Sequence, residues 1–285
     1  MKLLFTGRGT SGSWRVRGIQ LAATLGAEAI PNAVNAEADV AVLVKRTEDR
    51  TIRALRSRGV KLAWDLVDAY PQPAGNDWNE REALAWLERE MERIKPDAVI
   101  AATARMAEDL RPFGLPVLWL KHHHRPHIRR NPIRENIQVV GYEGSASYIT
   151  KWREAIRNAC ERIGASFVVN PDTLADCDVV LALRDAKGYP ARNWKSNVKL
   201  ANAHASGTPW IGCTESGYTE IATGCEYWAD NAKQLGVALE WLSEQSTREQ
   251  ICDRFIKAAY PVEKAAAELH SFLAQNFERK CASTS

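Results

Sequence analysis

Long hydrophobic runs are missing from this 285-residue chain. The apolar run near its start, Leu3-Leu4-Phe5, is far too short for the hydrophobic region of a signal peptide. No stretch approaches the roughly 20 apolar residues of a membrane-spanning helix. There is also no low-complexity tract and no repeat at the periods of solenoid proteins. We therefore expect a cytoplasmic protein with no transmembrane segment.

The six cysteines form no C-x-x-C pair and show no spacing typical of a small disulfide-stapled domain. Several of them lie in apolar strand or helix patterns, which favours reduced thiols over disulfides or metal ligands. Three consecutive histidines, His122 to His124, cannot all face one ion from an extended segment, because alternate side chains point to opposite sides. We therefore predict no bound metal.

The net charge is small, because the chain has 38 Lys and Arg residues and 35 Asp and Glu residues. A net charge of +3 permits anionic ligands but does not by itself indicate nucleic acid. Basic residues gather in two stretches that could meet an anionic acceptor, either nucleic acid or phospholipid. Nearby Glu48 and Asp49 favour ordinary ion pairs instead. The basic residues are Lys45, Arg46, Arg50, Arg53, Arg56, Arg58, Arg125, Arg129, Arg130 and Arg134.

Short apolar strands alternate with helices along the first half of the chain, beginning with a predicted strand over 3–6 and a predicted helix over 14–25. This alternation predicts an α/β fold of right-handed βαβ units, with a parallel sheet covered on both faces. It breaks at residues 122–135, which are rich in cations and contain two prolines. It then restarts, with predicted helices that include 148–163 and a last one over 262–277. The length suits two domains. We expect a Rossmann-like domain at 1–125, a linker at 126–136, a second Rossmann-like domain at 137–258 and a C-terminal helical segment at 259–285.

The most informative segment runs from Lys195 to Ile221 and reads KSNVKLANAHASGTPWIGCTESGYTEI. It predicts a helix over 199–205, ended by Ser206-Gly207, and then an apolar strand over 208–213. A second helix begins near Ser216, which is the predicted N-cap. A glycine-containing turn at a helix N-terminus presents backbone N–H groups and a positive dipole end to an anion.

This segment resembles the donor-binding half of GT-B glycosyltransferases. The resemblance is to glycosyltransferase family 4, or glycosyl transferases group 1, the retaining group that includes glycogen-synthase-like and sucrose-synthase-like enzymes. The family pattern there is roughly K-L-x-E-A-x-A-x-G-x-P-V-I-x-x-x-x-G-x-x-E-I. The matching positions are Lys199, Leu200, Ala203, Ala205, Gly207, Pro209, Ile211, Gly217, Glu220 and Ile221.

The resemblance implies two Rossmann-like domains facing a cleft, with a C-terminal helix that crosses back to the first domain. It implies a nucleotide-sugar donor bound by the second domain, transfer with retention, and no metal or other cofactor. Lys195, Lys199 and Arg184 would stabilise the diphosphate leaving group, and Glu220 would hold the ribose hydroxyls. The predicted donor-binding set is Arg184, Lys195, Asn197, Lys199, Glu215, Ser216, Gly217, Tyr218 and Glu220.

The chain departs from the family at several positions, which marks it as a divergent member. The family usually has two glutamates spaced E-x7-E, and these positions hold Trp194 and Asn202 here. The usual Arg and Lys after the first strand of the second domain are replaced by Tyr142 and Ser147. A noncatalytic relative that binds nucleotide or sugar is therefore an alternative function.

A glycine-rich loop, Gly7 to Gly12, follows the first predicted strand and contains a G-x-G-x-x-G pattern. This context fits a dinucleotide fingerprint, but the acidic residue expected about 20 residues later is missing. The loop would otherwise face the interdomain cleft, or be a tight turn with solvated arginines. Its candidate ligand-facing residues are Arg8, Gly9, Thr10 and Ser11.

Three further residues follow strands of the first domain and are candidates for acid–base catalysis. Asp65 and Asp68 follow the strand at 60–64, where a carboxylate could orient an acceptor hydroxyl or act as a base. His123 follows the strand at 115–120, where ligands of open α/β sheets gather. A turn-capping role for Asp68 and a polar linker role for the histidines are the structural alternatives.

We therefore predict a nucleotide-sugar-dependent glycosyltransferase of unidentified acceptor. The acceptor could be a polysaccharide, a lipid-linked sugar, a small molecule or modified DNA, and transfer to modified DNA bases is a distinct alternative. A nicotinamide-dependent oxidoreductase is the remaining alternative, and only the glycine-rich loop supports it.

Overall fold

The computed structural model describes residues 1–70, 77–185 and 187–278. Its chain forms two compact units. Unit 1 contains Met1–His122, Gly188–Ser196 and Val262–Ser285, and unit 2 contains His123–Lys187 and Asn197–Pro261. Cys281 and the end of the segment predicted at 259–285 lie outside the described residues.

Unit 1 is built on a six-stranded sheet in which every strand pair is parallel. The strand order is β2-β1-β3-β4-β5-β6. The central β3 has the sequence Val-Ala-Val-Leu-Val and is buried along its whole length, as expected for a strand covered on both faces. The strands are β1 (Leu3–Thr6), β2 (Glu28–Ala29), β3 (Val40–Val44), β4 (Lys61–Asp65), β5 (Ala98–Ala101) and β6 (Val117–Trp119).

The longer helices of unit 1 follow the predicted pattern. Glu80–Ile94 begins with a capping box, in which Asn79 accepts from the backbone N–H of Glu82 and the Glu82 carboxylate accepts from that of Asn79. The C-terminal helix packs against the first α-helix of unit 1. The helices are α1 (Leu21–Leu25), α2 (Asp49–Ser57), α3 (Glu80–Ile94), α4 (Ala104–Leu110), α6 (Tyr189–Asn193) and α11 (Val262–Phe277).

Unit 2 is built on a five-stranded sheet, also with every pair parallel, in the order β11-β10-β9-β7-β8. Its strands are β7 (Val139–Tyr142), β8 (Ser166–Val169), β9 (Val179–Ala182), β10 (Trp210–Gly212) and β11 (Tyr227–Trp228). Its helices are α5 (Arg153–Arg162), α7 (Val198–Ser206), α8 (Ser216–Thr219), α9 (Ala232–Leu242) and α10 (Gln245–Lys257).

Two predicted helices differ from the structure in type. The helix expected over 14–25 begins as a π-helix at Trp14–Gln20 and becomes α-helical only from Leu21. Gly18 permits this turn to pack closely, because a Cβ there would lie 2.6 Å from the Trp14 indole. The helix expected over 148–163 begins with a 3-10 segment, Ala146–Trp152, before α5.

The predicted linker at 126–136 is tied to unit 2. The Asn131 backbone N–H donates to the Ser206 carbonyl at 2.7 Å, and its side chain donates to the Cys177 carbonyl at 2.6 Å. Arg134 pairs with the buried Asp178 at 2.8 Å. These bonds make the segment part of the packing of unit 2.

Residues 188–196 fall within the range predicted for the second domain, 137–258, but the compact units divide the chain differently. They belong to unit 1, where Asp109 accepts from the Tyr189 hydroxyl at 2.9 Å and from the Trp194 indole N–H at 2.8 Å. The Trp194 ring also packs 6.2 Å from that of Trp86. A segment that the sequence places beside the donor signature is therefore anchored in the other unit.

Candidate functional site

The carboxyl ends of β7, β9 and β10 meet at one edge of the unit 2 sheet, the place where open parallel sheets bind ligands. Tyr142 ends β7, Arg184 follows β9 by two residues, and Glu215 follows β10 by three. The backbone N–H of Arg184 contacts the Cys213 sulfur at 3.4 Å. The first turn of α7 brings Lys199 to the same edge, beside the Tyr142 ring.

Lys199 is held over an aromatic ring. Its Nζ lies 4.1 Å from the centroid of the Tyr142 ring, which is a close cation–π contact. Gly144 leaves room for this arrangement, because a Cβ there would lie 3.3 Å from both the Lys199 Nζ and the Tyr142 hydroxyl. The φ of Gly144 is +136°, which favours glycine independently. Burial raises the pKa of Tyr142 to about 12, so the phenol stays protonated at neutral pH.

Arg184 lies within a buried polar cluster. Its Nε is 2.6 Å from Glu215, and its Nη2 donates to the Tyr218 hydroxyl at 2.9 Å. Burial alone would lower the pKa of Arg184, but Tyr218 and Glu215 outweigh it and raise this pKa. Arg184 and Glu215 therefore form a charge-neutral pair, and Lys199 is the better placed cation for a diphosphate.

Glu143 supplies a carboxylate beside the α7 position where the family has a glutamate. The Asn202 amide donates to the Glu143 carboxylate at 3.3 Å, and the Asn202 carbonyl oxygen accepts from the Arg125 backbone N–H at 3.0 Å. Arg125 also forms an ion pair with Glu143. Sequence patterns do not reveal this contact, because it joins residues far apart in the chain.

The two positions of the expected E-x7-E glutamate pair belong to different units. Trp194 belongs to unit 1 and is fully buried, while Asn202 lies in unit 2. Lys195, a predicted diphosphate ligand, also belongs to the unit 1 segment. The predicted donor set is therefore divided between the units, with all its members except Lys195 in unit 2.

The predicted donor residues around α8 and before α7 have the following positions. Glu215, not the predicted Ser216, occupies the N-cap position of α8, and the Glu215 side chain makes no capping hydrogen bond there. Tyr218 is buried against the Trp210 ring at 5.0 Å, and Gly217 is also buried. Glu220 ends the helix as its half-buried C-cap residue, and its contact with ribose hydroxyls stays a prediction. Asn197 is the buried residue before α7.

A buried carboxylate, that of Glu226, holds the loop after α8 by hydrogen bonds. Glu226 accepts from the backbone N–H groups of Thr223, Gly224 and Cys225, at 2.9 to 3.1 Å. His204 on α7 contacts the same carboxylate at 3.0 Å. Burial raises the pKa of Glu226, but the hydrogen bonds from His204 and Thr223 outweigh it and lower this pKa.

Two of the predicted catalytic residues are fully buried. The Asp65 carboxylate accepts from Arg17 Nε at 2.9 Å and from the Val67 backbone N–H at 3.0 Å. Arg17 also donates to the carbonyls of Leu120 and Lys121. His123 is 0% exposed, and its Nδ1 lies 2.8 Å from the His124 carbonyl oxygen. These contacts give Asp65 a structural function, joining three segments of unit 1.

Asp68 is the better placed of the two acids. Its carboxylate lies 2.8 Å from Lys45 Nζ, and both side chains are about one-fifth exposed, at 19% and 21%. Lys45 also donates to the Ser13 hydroxyl at 3.3 Å. Lys45 and Val67 both have positive φ, at +60° and +67°, and such backbone strain is concentrated at functional sites. Catalysis by Asp68 stays a prediction.

The glycine-rich loop turns at Gly9, which has φ +86° and lies against Pro31. Arg8, Thr10 and Ser11 are exposed. Ser11 Oγ accepts from the Trp14 backbone N–H at 3.2 Å and so fixes the start of the following helix. The candidate ligand contacts of this loop stay predictions.

Within the described ranges 1–70, 77–185 and 187–278, no group of three or more His, Cys, Asp or Glu is arranged to hold a metal ion. No helix there combines the length and apolarity of a transmembrane span. The five described cysteines are free, with no disulfide among them.

Comparison with solved structures confirms the predicted GT-B architecture. HepE from Anabaena, solved with UDP and glucose, superposes with a TM-score of 0.66 at 12% identity, covering 96% of this chain and 99% of HepE. Sucrose-phosphate synthase from Thermosynechococcus elongatus gives 0.63 at 11% identity, covering 97% and 99%. A glycosyltransferase from Rickettsia africae gives 0.59 at 8% identity, covering 98% and 99%.

No protein-family model and no curated protein sequence matches this chain. The structural similarities therefore show the fold, and at these identities they do not carry the chemistry of any one neighbour.

Proposed function

We propose that this chain is a nucleotide-sugar-dependent glycosyltransferase whose donor diphosphate binds at the carboxyl edge of the unit 2 sheet. The observation that supports it most is Lys199, held 4.1 Å from the Tyr142 ring beside the Gly144 backbone. A cation fixed in this way needs little reorganisation to meet a developing negative charge. HepE, a protein of the same fold, was solved with UDP and with UDP-glucose.

The proposed mechanism stabilises the leaving group. As the glycosidic bond breaks, negative charge moves onto the nucleoside diphosphate, and Lys199 with the first-turn N–H groups of α7 would attract it. The Arg184–Glu215–Tyr218 cluster would hold the adjoining strand ends in position. We propose that no metal takes part and that transfer proceeds with retention, as the family resemblance implies.

We propose that Glu143 takes the place of the carboxylate that Asn202 lacks. Its oxygen lies 3.3 Å from the Asn202 amide, and 18% of its side chain is exposed. A half-buried carboxylate can accept hydrogen bonds from sugar or ribose hydroxyls. Glu220 remains the second proposed ribose ligand.

The acceptor is proposed to bind unit 1, where Asp68 and Lys45 form the half-buried polar pair described above. Modified DNA is a weaker proposal than a neutral or lipid-linked acceptor. Of the ten basic residues that suggested nucleic acid, six have acidic or carbonyl partners: Lys45, Arg46, Arg50, Arg56, Arg125 and Arg134.

A thermal-shift screen tests the proposal. The wild-type protein would be measured with UDP, GDP, ADP, UDP-glucose, NAD and NADP, with and without magnesium. A ligand at 100 times its Kd stabilises the folded state by about 2.7 kcal/mol, which gives a clear shift. We expect a shift with one nucleoside diphosphate, independent of magnesium. A shift with NAD or NADP alone would reject the proposal.

Two lysine variants locate the site. Lys199→Met should weaken the binding of that nucleotide about tenfold, the loss of roughly 1.4 kcal/mol that one charge-assisted contact supplies. Lys257→Met, which changes an exposed lysine on α10, is the matched control and should bind normally. Equal affinity for all three proteins would move the phosphate site elsewhere.

A noncatalytic nucleotide-binding protein is the second proposal, and the observation that favours it is the burial of Trp194 in the other unit. An assay of sugar release from the nucleotide-sugar donor that binds most tightly distinguishes the catalytic proposal from the noncatalytic one. Nucleotide binding without any release or transfer of sugar, over a panel of acceptors, would favour the noncatalytic function.

A further inference from the structure

A groove on unit 2 lies between β11 and the start of α9. It has a volume of about 410 Å³, within the range of about 300–1,000 Å³ that small-ligand sites occupy. None of the described residues that line it belongs to the proposed donor site. They are Tyr227, Trp228, Asn231, Lys233, Gln234, Val237 and Ala238.

Two aromatic residues line the groove on its β11 side. Tyr227 and Trp228 are consecutive in β11, and each is half-buried. The Trp228 ring packs edge-to-face on the buried Trp210, with centroids 5.4 Å apart at 80°. This contact fixes the ring before any ligand arrives, which reduces the entropy lost on binding.

Two side-chain amides face the same groove and are oriented by internal bonds. The Asn231 carbonyl oxygen accepts from the Gln234 backbone N–H at 3.0 Å. The Gln234 carbonyl oxygen accepts from the Asp230 backbone N–H at 2.8 Å. Because both oxygens are used in this way, each amide presents its NH2 group, a donor of two hydrogen bonds, away from the helix.

The charge of the groove favours a neutral ligand. Among the described residues that line it, Lys233 is the one with a charged side chain, and no carboxylate lines it. Val237, 47% exposed, adds an apolar surface beside the amides. A fixed Trp228 ring, a neighbouring tyrosine and nearby hydrogen-bond donors suit a molecule that has apolar C–H faces and a rim of hydroxyls.

We propose that this groove binds a neutral oligosaccharide. The C–H face of a pyranose ring would lie on Tyr227 or Trp228, where the negative face of the aromatic ring attracts it. Its hydroxyl oxygens would accept from Asn231, Gln234 and Lys233. The proposal requires no sugar transfer, so it goes beyond the proposed donor site, and its failure leaves that proposal untouched.

Binding of defined oligosaccharides to the full chain, without nucleotide, tests the proposal. The probes are maltopentaose, cellopentaose and N-acetylchitopentaose, titrated by calorimetry and by tryptophan fluorescence to about 10 mM. This range covers Kd values near 1 mM, the weak affinity expected of an open groove. We expect at least one probe to bind. No binding by any of the three would overturn the proposal.

Variants then place the site. Tyr227→Ala should weaken binding of that probe about tenfold, a loss of roughly 1.4 kcal/mol, because the sugar ring loses its aromatic contact. Gln234→Met keeps the side-chain length but removes the donors, and it should weaken binding of the probe severalfold. This second variant keeps the test valid if Tyr227→Ala fails to fold. Trp241→Ala is the matched control, because Trp241 is 63% exposed on the same helix but does not line the groove. Equal losses in Trp241→Ala would overturn the assignment to this groove.

Discussion

Each unit places an arginine beside a carboxylate at the ends of its strands, and the two pairs differ in their surroundings. In unit 1 the side chains of Arg17 and Asp65 are both 0% exposed, and Arg17 also donates to two backbone carbonyls. In unit 2 Arg184 keeps 12% of its side chain exposed and has a phenol, Tyr218, as its further partner. The first pair closes a core, whereas the second adjoins an accessible sheet edge.

The difference shows how similar chemistry serves two functions. A buried pair whose every group has a fixed partner cannot exchange any of them for a ligand without leaving a buried charge unpaired. A pair whose arginine keeps part of its side chain exposed can hold neighbouring strand ends in place while a separate cation meets the ligand. In unit 2 that cation is Lys199, on its aromatic ring.

The largest effect is expected in unit 1. Asp65→Ala leaves Arg17 charged and buried, which should lower the free energy of unfolding by about 3–5 kcal/mol. Urea denaturation would measure it. The control is Glu48→Ala, which breaks an exposed pair with Arg50, at 37% and 66% exposure, and should cost at most about 1 kcal/mol. If Asp65→Ala lowered the free energy of unfolding as little as the control does, the structural function assigned to the unit 1 pair would be wrong.

Glu215→Ala in unit 2 should cost less, about 2 kcal/mol, because Arg184 keeps its bond to Tyr218 and some contact with water. The same denaturation series measures it. Nucleotide binding should also weaken, since the strand end that carries Arg184 loses a partner. If Glu215→Ala proved as destabilising as Asp65→Ala, the two pairs would be equivalent.

Two buried tyrosines of unit 2, Tyr218 and Tyr142, should respond differently to replacement by phenylalanine. Tyr218→Phe removes a bond to a charged group at 2.9 Å and should cost about 1.5 kcal/mol. The Tyr142 hydroxyl is buried with no hydrogen-bond partner among the described residues. Tyr142→Phe should therefore leave stability unchanged or raise it by up to about 1 kcal/mol. Thermal unfolding of both variants checks the contrast, and equal losses would contradict it.

The smallest effect concerns acid stability. The pKa of Glu226 is lowered in the folded state, so its contribution to stability is complete above the ordinary glutamate value of about 4.3 and is lost as pH falls below it. Glu226→Gln removes this contribution. The wild-type advantage over Glu226→Gln in free energy of unfolding should shrink as pH falls from 5 to 3. A difference that stayed constant over the whole range would contradict the assignment.

Much of the fold could be predicted because apolar periodicity is local. The strand Leu3–Thr6 and the helix Val262–Phe277 have the bounds that the pattern predicts. The two-residue strands β2 and β11 and the short helix α6 were missed, because elements of that length carry no period. The π-helical start at Trp14 also has no local signal, since it depends on how that indole packs.

The candidate site could be predicted only in part, since its residues come together from distant positions. Lys199 was indicated by the signature segment, and Arg184 by its place at the end of a predicted strand. Such local patterns could not indicate Glu143, which meets Asn202 across 59 positions of sequence. They also could not show that Asp65 has its charge compensated by Arg17, 48 positions earlier.

Sequence by itself determined the α/β class, the two parallel sheets and the strand ends where polar residues collect, because hydrophobic period and turn chemistry are properties of neighbouring residues. Only the tertiary structure decided which polar residues have their charge balanced by a buried partner and which are accessible to a ligand. It buried Asp65 and His123, moved residues 188–196 into unit 1 and set Lys199 over Tyr142. The physical reason is that burial, partners and pKa depend on contacts between segments distant in sequence.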